Sequence, residues 1–129
     1  MYRFAVAVRV FVIDDADQVR DMLVQMLELS GFDIAGSASS GKVAVDLVLE
    51  SKPDVVVTDY KMPEMDGIAT ARAIRELRPD QAIILYTAYL DEVLERQARD
   101  AGVSLCVSKI EGLETLEQDI RRLAEDVFG

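Results

Sequence analysis

Five short runs rich in β-branched residues punctuate this chain, and each is followed by a stretch with the helical spacing of apolar side chains. Val6 to Ile13, Phe32 to Ala38, Asp54 to Thr58, Ala82 to Thr87 and Val103 to Val107 read as strands. Regular β–α alternation leaves few architectures, because strands running the same way need crossover connections and right-handed crossovers dominate. The predicted fold is therefore α/β: a doubly wound five-stranded parallel sheet covered by helices on both faces, for which the order 2-1-3-4-5 is one of the common solutions.

The first helical pattern puts Val19, Met22, Leu23, Met26 and Leu27 at i, i+3, i+4, i+7 and i+8, with Asp17 as N-cap and Gly31 as the stop. Ser39 or Ser40 caps a second helix reaching about Ser51, and Gly67 to Leu77 form a third. Asp91 to Ala101 form a fourth, and Leu113, Leu116, Ile120, Leu123 and Val127 share one stripe of the last. No linker, repeat or low-complexity segment interrupts the alternation.

At 129 residues the chain suits one domain with its own core. Lys and Arg number 14 against 24 Asp and Glu, and the formal charge of −10 opposes phosphate backbones. No binding of nucleic acid by this chain alone is expected. Histidine is absent, which excludes imidazole catalysis and the zinc sites that rely on it; any histidine in the chemistry belongs to a partner. The one cysteine, Cys106, has no partner for an intrachain disulfide, in keeping with a reducing compartment. No apolar run approaches the roughly 18 residues of a membrane span. The expected location is the cytoplasm, with no membrane contact.

Acidic residues close two of the apolar runs. Asp14 and Asp15 follow Ile13, and Asp59 follows Thr58. In the order 2-1-3-4-5 the switch point lies between the first and third strands, where ligands collect beyond the carboxyl ends. Two unit charges about 4 Å apart repel by roughly 4 kcal/mol at an effective dielectric near 20, so clustered carboxylates call for a cation. An isolated acidic pair is more simply a solvated turn or a helix cap. Thr87 alone reads as a β-former or turn hydroxyl, and Lys109 alone as a solvated charge.

Taken together, Asp14-Asp15, the run Thr58-Asp59-Tyr60-Lys61-Met62-Pro63-Glu64-Met65-Asp66-Gly67, Thr87 and Ser108-Lys109 lie in order at successive strand ends. Over nearly its whole length the chain resembles a receiver domain of a two-component response regulator, of the CheY-like, flavodoxin-like (βα)5 class. The resemblance implies that residues 1–129 are a single receiver domain without an effector domain. It implies Asp59 as phosphoacceptor, a sensor histidine kinase or phosphotransfer protein as donor, and Mg²⁺ held by Asp15, Asp59 and the Lys61 backbone carbonyl, with Asp14 nearby. Lys109 matches the lysine that contacts a phosphoryl oxygen, and Thr87 the hydroxyl that moves toward it. The output face implied is helix 4, strand 5 and helix 5, acting on a partner, a transcriptional output domain or a second copy in a homodimer. The chain is then no free-turnover enzyme, since it catalyses only its own phosphorylation and dephosphorylation.

Lys61, Ala88 and Tyr89 are expected at the rim, where they tune access of water to the phosphorylated site. Cys106 stands where many receivers carry the aromatic switch residue, which leaves the switch absent or rebuilt from Tyr86 or Tyr89. Ile110 replaces the proline that often follows the lysine, so a trans bond and a different loop are expected. Gly67 is expected to relieve backbone strain where its helix begins. Two other classes compete. Asp15-Ala16-Asp17 resembles the nucleophile motif of haloacid-dehalogenase-type phosphatases, which needs a further acidic pair after a later strand. A flavodoxin-like electron carrier shares the topology, yet the acidic first loop repels a flavin phosphate.

Overall fold

The structure, a computed structural model, describes residues 7–128; Val6 and the side chain of Val127 lie outside the described residues. Five strands alternate with five helices: β1 (Arg9–Ile13), α1 (Asp17–Leu29), β2 (Asp33–Ala38), α2 (Gly41–Ser51), β3 (Val55–Thr58), α3 (Gly67–Leu77), β4 (Ala82–Thr87), α4 (Glu92–Asp100), β5 (Leu105–Ser108) and α5 (Leu113–Phe128). All neighbouring strands are parallel, and their order is β2-β1-β3-β4-β5. The expected doubly wound sheet is what the chain forms. Among the described residues no helix is long and apolar enough to cross a membrane.

Period-two alternation along buried strands sends successive side chains to opposite faces, and here each face meets helices. Phe11, Ile13, Val56, Ile83 and Leu85 pack with α2, α3 and α4. Val10, Val12, Val55, Val57, Ile84 and Val107 pack with α1 and α5. Full burial of one such aliphatic side chain contributes about 1.5–3 kcal/mol. The two layers together hold the strand ends in register.

Two expected strand starts belong instead to helix ends. Phe32 N–H donates to the Leu27 carbonyl at 3.1 Å and Val103 N–H to the Ala98 carbonyl at 3.0 Å, each after a glycine at φ +95°. These are paired Schellman closures, whose terminal apolar residue folds back on its own helix before the strand begins. At the other end of α1, Asp17 is the first helical residue rather than the cap: Ala16 holds the cap position and no side chain caps it. Ser40 does cap α2, its Oγ accepting from Val43 N–H at 3.3 Å.

The α1 stripe is also rotated from expectation. Leu23 and Leu27 are buried, whereas Met22 is 60% exposed and Val19 and Met26 lie open beside it. Arg20 lies on the buried side. Its guanidinium reaches inward to the Asp14 carbonyl at 2.8 Å and sideways to Asp17 at 2.8 Å. The helix is seated on the 20/23/27 face, with Val19, Met22, Met26 and Leu29 left as an uncovered apolar seam.

Candidate functional site

β1 and β3 are adjacent, with Ile13 paired to Thr58, so the residues that follow both strands emerge side by side. The backbone fixes them further: Asp14 N–H donates to Ala38 carbonyl at 3.1 Å and Asp59 N–H to Ile13 carbonyl at 3.0 Å. Carboxylate oxygens of Asp14, Asp15 and Asp59 consequently lie within 4.8 Å of one another. Asp14 is only 3% exposed, Asp59 is half-buried and Asp15 faces solvent.

Lys109 enters from the far side of the sheet. β5 ends at Ser108 and a 3-10 turn over Lys109–Glu111 follows, begun by Ser108 Oγ accepting from Ile110 N–H at 3.2 Å. The Lys109–Ile110 bond is trans, as expected without proline. Its ammonium stands 3.5 Å from Asp59 Oδ2 and 3.6 Å from Asp14 Oδ2, so one cation bridges two anions. Burial pushes the Asp59 carboxyl above its ordinary pKa, with the Asp14 charge adding to the rise. The Lys109 charge and the Tyr60 N–H, 2.8 Å from Asp59 Oδ1, pull it back.

The segment after Asp59 curls tightly under the site. Glu64 adopts φ +69°, Met65 N–H donates to Pro63 carbonyl at 2.7 Å, and Gly67 N–H donates to Tyr60 carbonyl at 2.8 Å. A Cβ on Gly67 would stand 2.1 Å from the Asp59 carbonyl oxygen. Close approach therefore explains this glycine, and the expected relief of backbone strain does not, since its φ lies outside the left-handed region. Asp66 caps α3 by accepting from Ala69 N–H at 2.8 Å, a role legible in an Asp before a helix start but not drawn from the sequence.

The other expected residues divide between pocket and rim. Thr87, buried at the end of β4, accepts from Tyr89 N–H at 3.3 Å. Lys61, Ala88 and Tyr89 are exposed, and the Lys61 ammonium sits 5.5 Å from the Tyr89 ring centre. Both line a cleft of about 260 Å³ together with Tyr60, Thr87, Asp91 and Gln97. Cys106 is half-buried on the α2–α4 side, and burial with the nearby Glu95 charge pushes its thiol pKa up. Tyr86 packs on the opposite, α1/α5 side of the sheet.

An all-oxygen cluster suits a hard divalent ion that keeps some of its waters. The three carboxylates fit Mg²⁺ on that ground, and no backbone N–H of the described residues donates to the Lys61 carbonyl, which leaves that oxygen available.

Comparison with known proteins agrees with this geometry. A family profile described as the response regulator receiver domain matches residues 10–121. The response regulator GacA of Pseudomonas aeruginosa is 32% identical over 117 residues, covering 90% of this chain and 55% of GacA. The chain thus spans little more than half of that relative. The chemotaxis protein CheY of Thermotoga maritima is 37% identical over 94 residues, covering 73% of this chain and 78% of CheY. Among solved structures, the signal receiver domain of NarL from Mycobacterium tuberculosis superposes with a TM-score of 0.84 at 30% identity, covering 92% of this chain and 97% of that one.

Proposed function

Because the chain belongs to the response regulator receiver domain family of two-component signalling, we propose that Asp59 accepts a phosphoryl group from a phosphohistidine of a sensor kinase or phosphotransfer protein. The observation that carries this is the meeting of Asp14, Asp15 and Asp59 oxygens within 4.8 Å, with the Lys109 ammonium 3.5 Å from Asp59. An Asp59 carboxylate oxygen attacks phosphorus, the P–N bond to the imidazole breaks, and the departing nitrogen keeps its electron pair. Asp14, Asp15, Asp59 and the Lys61 carbonyl would hold Mg²⁺, which when bound neutralises charge on the acceptor and the phosphoryl oxygens. Lys109 pairs with a phosphoryl oxygen, and the Thr87 hydroxyl moves to bind another.

The acyl phosphate then decays by attack of water at phosphorus, which returns the carboxylate. Lys61, Ala88 and Tyr89 stand where that water enters, so they set the lifetime of the signal. The donor docks on α1, whose open seam of Val19, Met22, Met26 and Leu29 starts four residues after Asp15. Phosphorylation biases a pre-existing equilibrium of the α4-β5-α5 face, which acts on an output domain, a partner or a second copy. Cytoplasmic location, transcriptional output and residues 1–129 forming one receiver domain complete this reading.

The experiment is mass spectrometry after exposure to acetyl phosphate and Mg²⁺. A hydroxylamine-labile adduct of one phosphoryl group in the parent and none in Asp59→Ala is the expected outcome. An adduct that persists in Asp59→Ala would overturn the assignment.

A further inference from the structure

The Lys109 ammonium has a third neighbour besides its two carboxylates. It lies 5.7 Å from the centre of the Tyr86 ring, within the range in which an aromatic face attracts a cation. Tyr86 precedes Thr87 on β4 and pairs with Val107 on β5, two residues before Lys109. Its ring packs against the core that α1 and α5 share, so it is anchored on one side and meets the cation on the other. Among the described residues no other ring is so placed. Tyr89 lies over Lys61, and Cys106, across from Leu85, points to the opposite layer.

From this geometry we propose that Tyr86 is the positioning residue for Lys109, holding its ammonium over the Asp14–Asp59 pair and yielding it when a phosphoryl group forms on Asp59. The inference rests on the phosphoacceptor reading of Asp59. A long lysine side chain loses much rotamer freedom when held in one place, and two carboxylates alone leave its lateral position open. The ring face supplies the missing restraint. Phosphoryl oxygens are stronger partners for an ammonium than a ring face, so they draw it inward and leave Tyr86 without its cation. Because the ring is seated in the α1/α5 layer, that loss registers under α5. An aromatic signal is thereby restored on the side of the sheet opposite Cys106.

The test is NMR of the Lys109 side-chain methylenes in the parent, Tyr86→Phe and Tyr86→Leu, before and after acetyl phosphate and Mg²⁺, with the Asp59 adduct measured in parallel by mass spectrometry. Before phosphorylation an upfield ring-current shift of the Lys109 ε-methylene is expected in the parent and Tyr86→Phe, and its loss in Tyr86→Leu. The adduct should form about fivefold more slowly in Tyr86→Leu, because the ammonium is no longer held in place as the phosphoryl group arrives, and at the parental rate in Tyr86→Phe. A merely structural ring would keep its shift on Lys109 after the adduct forms and would leave the rate of adduct formation unchanged. Once the adduct is present, the parent's ring-current shift should collapse. A shift absent from the parent at the outset, or unchanged when the adduct is at full occupancy, overturns the inference and leaves the phosphoacceptor reading standing. An absent adduct overturns both, since the release then has no trigger.

Discussion

Strand β3 has an aspartate at each end, and the two meet opposite fates. At the amino end, Asp54 accepts from Arg9 N–H at 2.8 Å, while Arg9 donates to the Ser51 carbonyl at 2.6 Å and Gln81 Nε2 to the Pro53 carbonyl at 3.2 Å. Most polar groups there meet backbone partners, although Gln81 Oε1 and Arg78 Nη1 are buried without one. At the carboxyl end, Asp59 is gathered with two other carboxylates and one bridging ammonium. The first end is built for stability and the second for a ligand. A strand of four residues separates them, so side-chain type says little and the company it keeps says much.

The sharpest way to break the contrast is to exchange the outcomes. Asp54→Ala should leave the phosphoryl adduct intact, whereas Asp59→Ala should abolish it. Next in size is Gly67→Ala, whose methyl must displace the Asp59 carbonyl from 2.1 Å; thermal or urea unfolding should report a loss of about 3 kcal/mol, with the adduct also suppressed. Asp54→Ala should cost about 2 kcal/mol, because the Arg9 N–H loses a charged acceptor. Asp59→Asn should move stability the other way in metal-free buffer, since it removes a desolvated charge beside Asp14. A melting temperature lower than the parent's would contradict the idea that the carboxyl end is strained by its own charge.

Mg²⁺ should stabilise the parent selectively, by about 1.4 kcal/mol at tenfold its dissociation constant, and Asp15→Asn should blunt that response in a thermal-shift titration. The smallest effect concerns Cys106, which lies on β5 away from both ends of β3. Its thiol is held above the ordinary range by burial and Glu95, so alkylation by iodoacetamide should rise with pH to a midpoint higher than that of a free thiol. The folded state keeps this proton longer than the unfolded chain does. Stability should therefore fall as pH climbs from the ordinary thiol value to the folded one, and Cys106→Ala should lose that slope.

Sequence periodicity located all five strands and the carboxylates at their ends, because a buried parallel strand has little choice of composition. What it misjudged has physical causes. Phe32 and Val103 look like strand residues, yet the glycine before each turns the chain back onto its helix. In α1 two apolar stripes lie side by side, and the one that carries Leu23 and Leu27 faces the sheet, with Arg20 on the same side reaching the Asp14 carbonyl. The contact between Lys109 and Tyr86 joins residues 23 positions apart through strand pairing, and no local pattern encodes it. Gly67 owes its place to a carbonyl eight residues earlier, which no local pattern reveals.

β5 lies at the margin of the sheet, hydrogen-bonded to β4 alone, whereas β1 and β3 are flanked on both sides. Lys109 hangs from that margin and the aspartates from the interior. Local opening begins where fewest neighbours hold the chain, so amide exchange should release β5 ahead of β1 and β3. A molecule that loosens from its border surrenders its cation before its anions, and leaves behind a bare acidic basket still in shape to capture a metal.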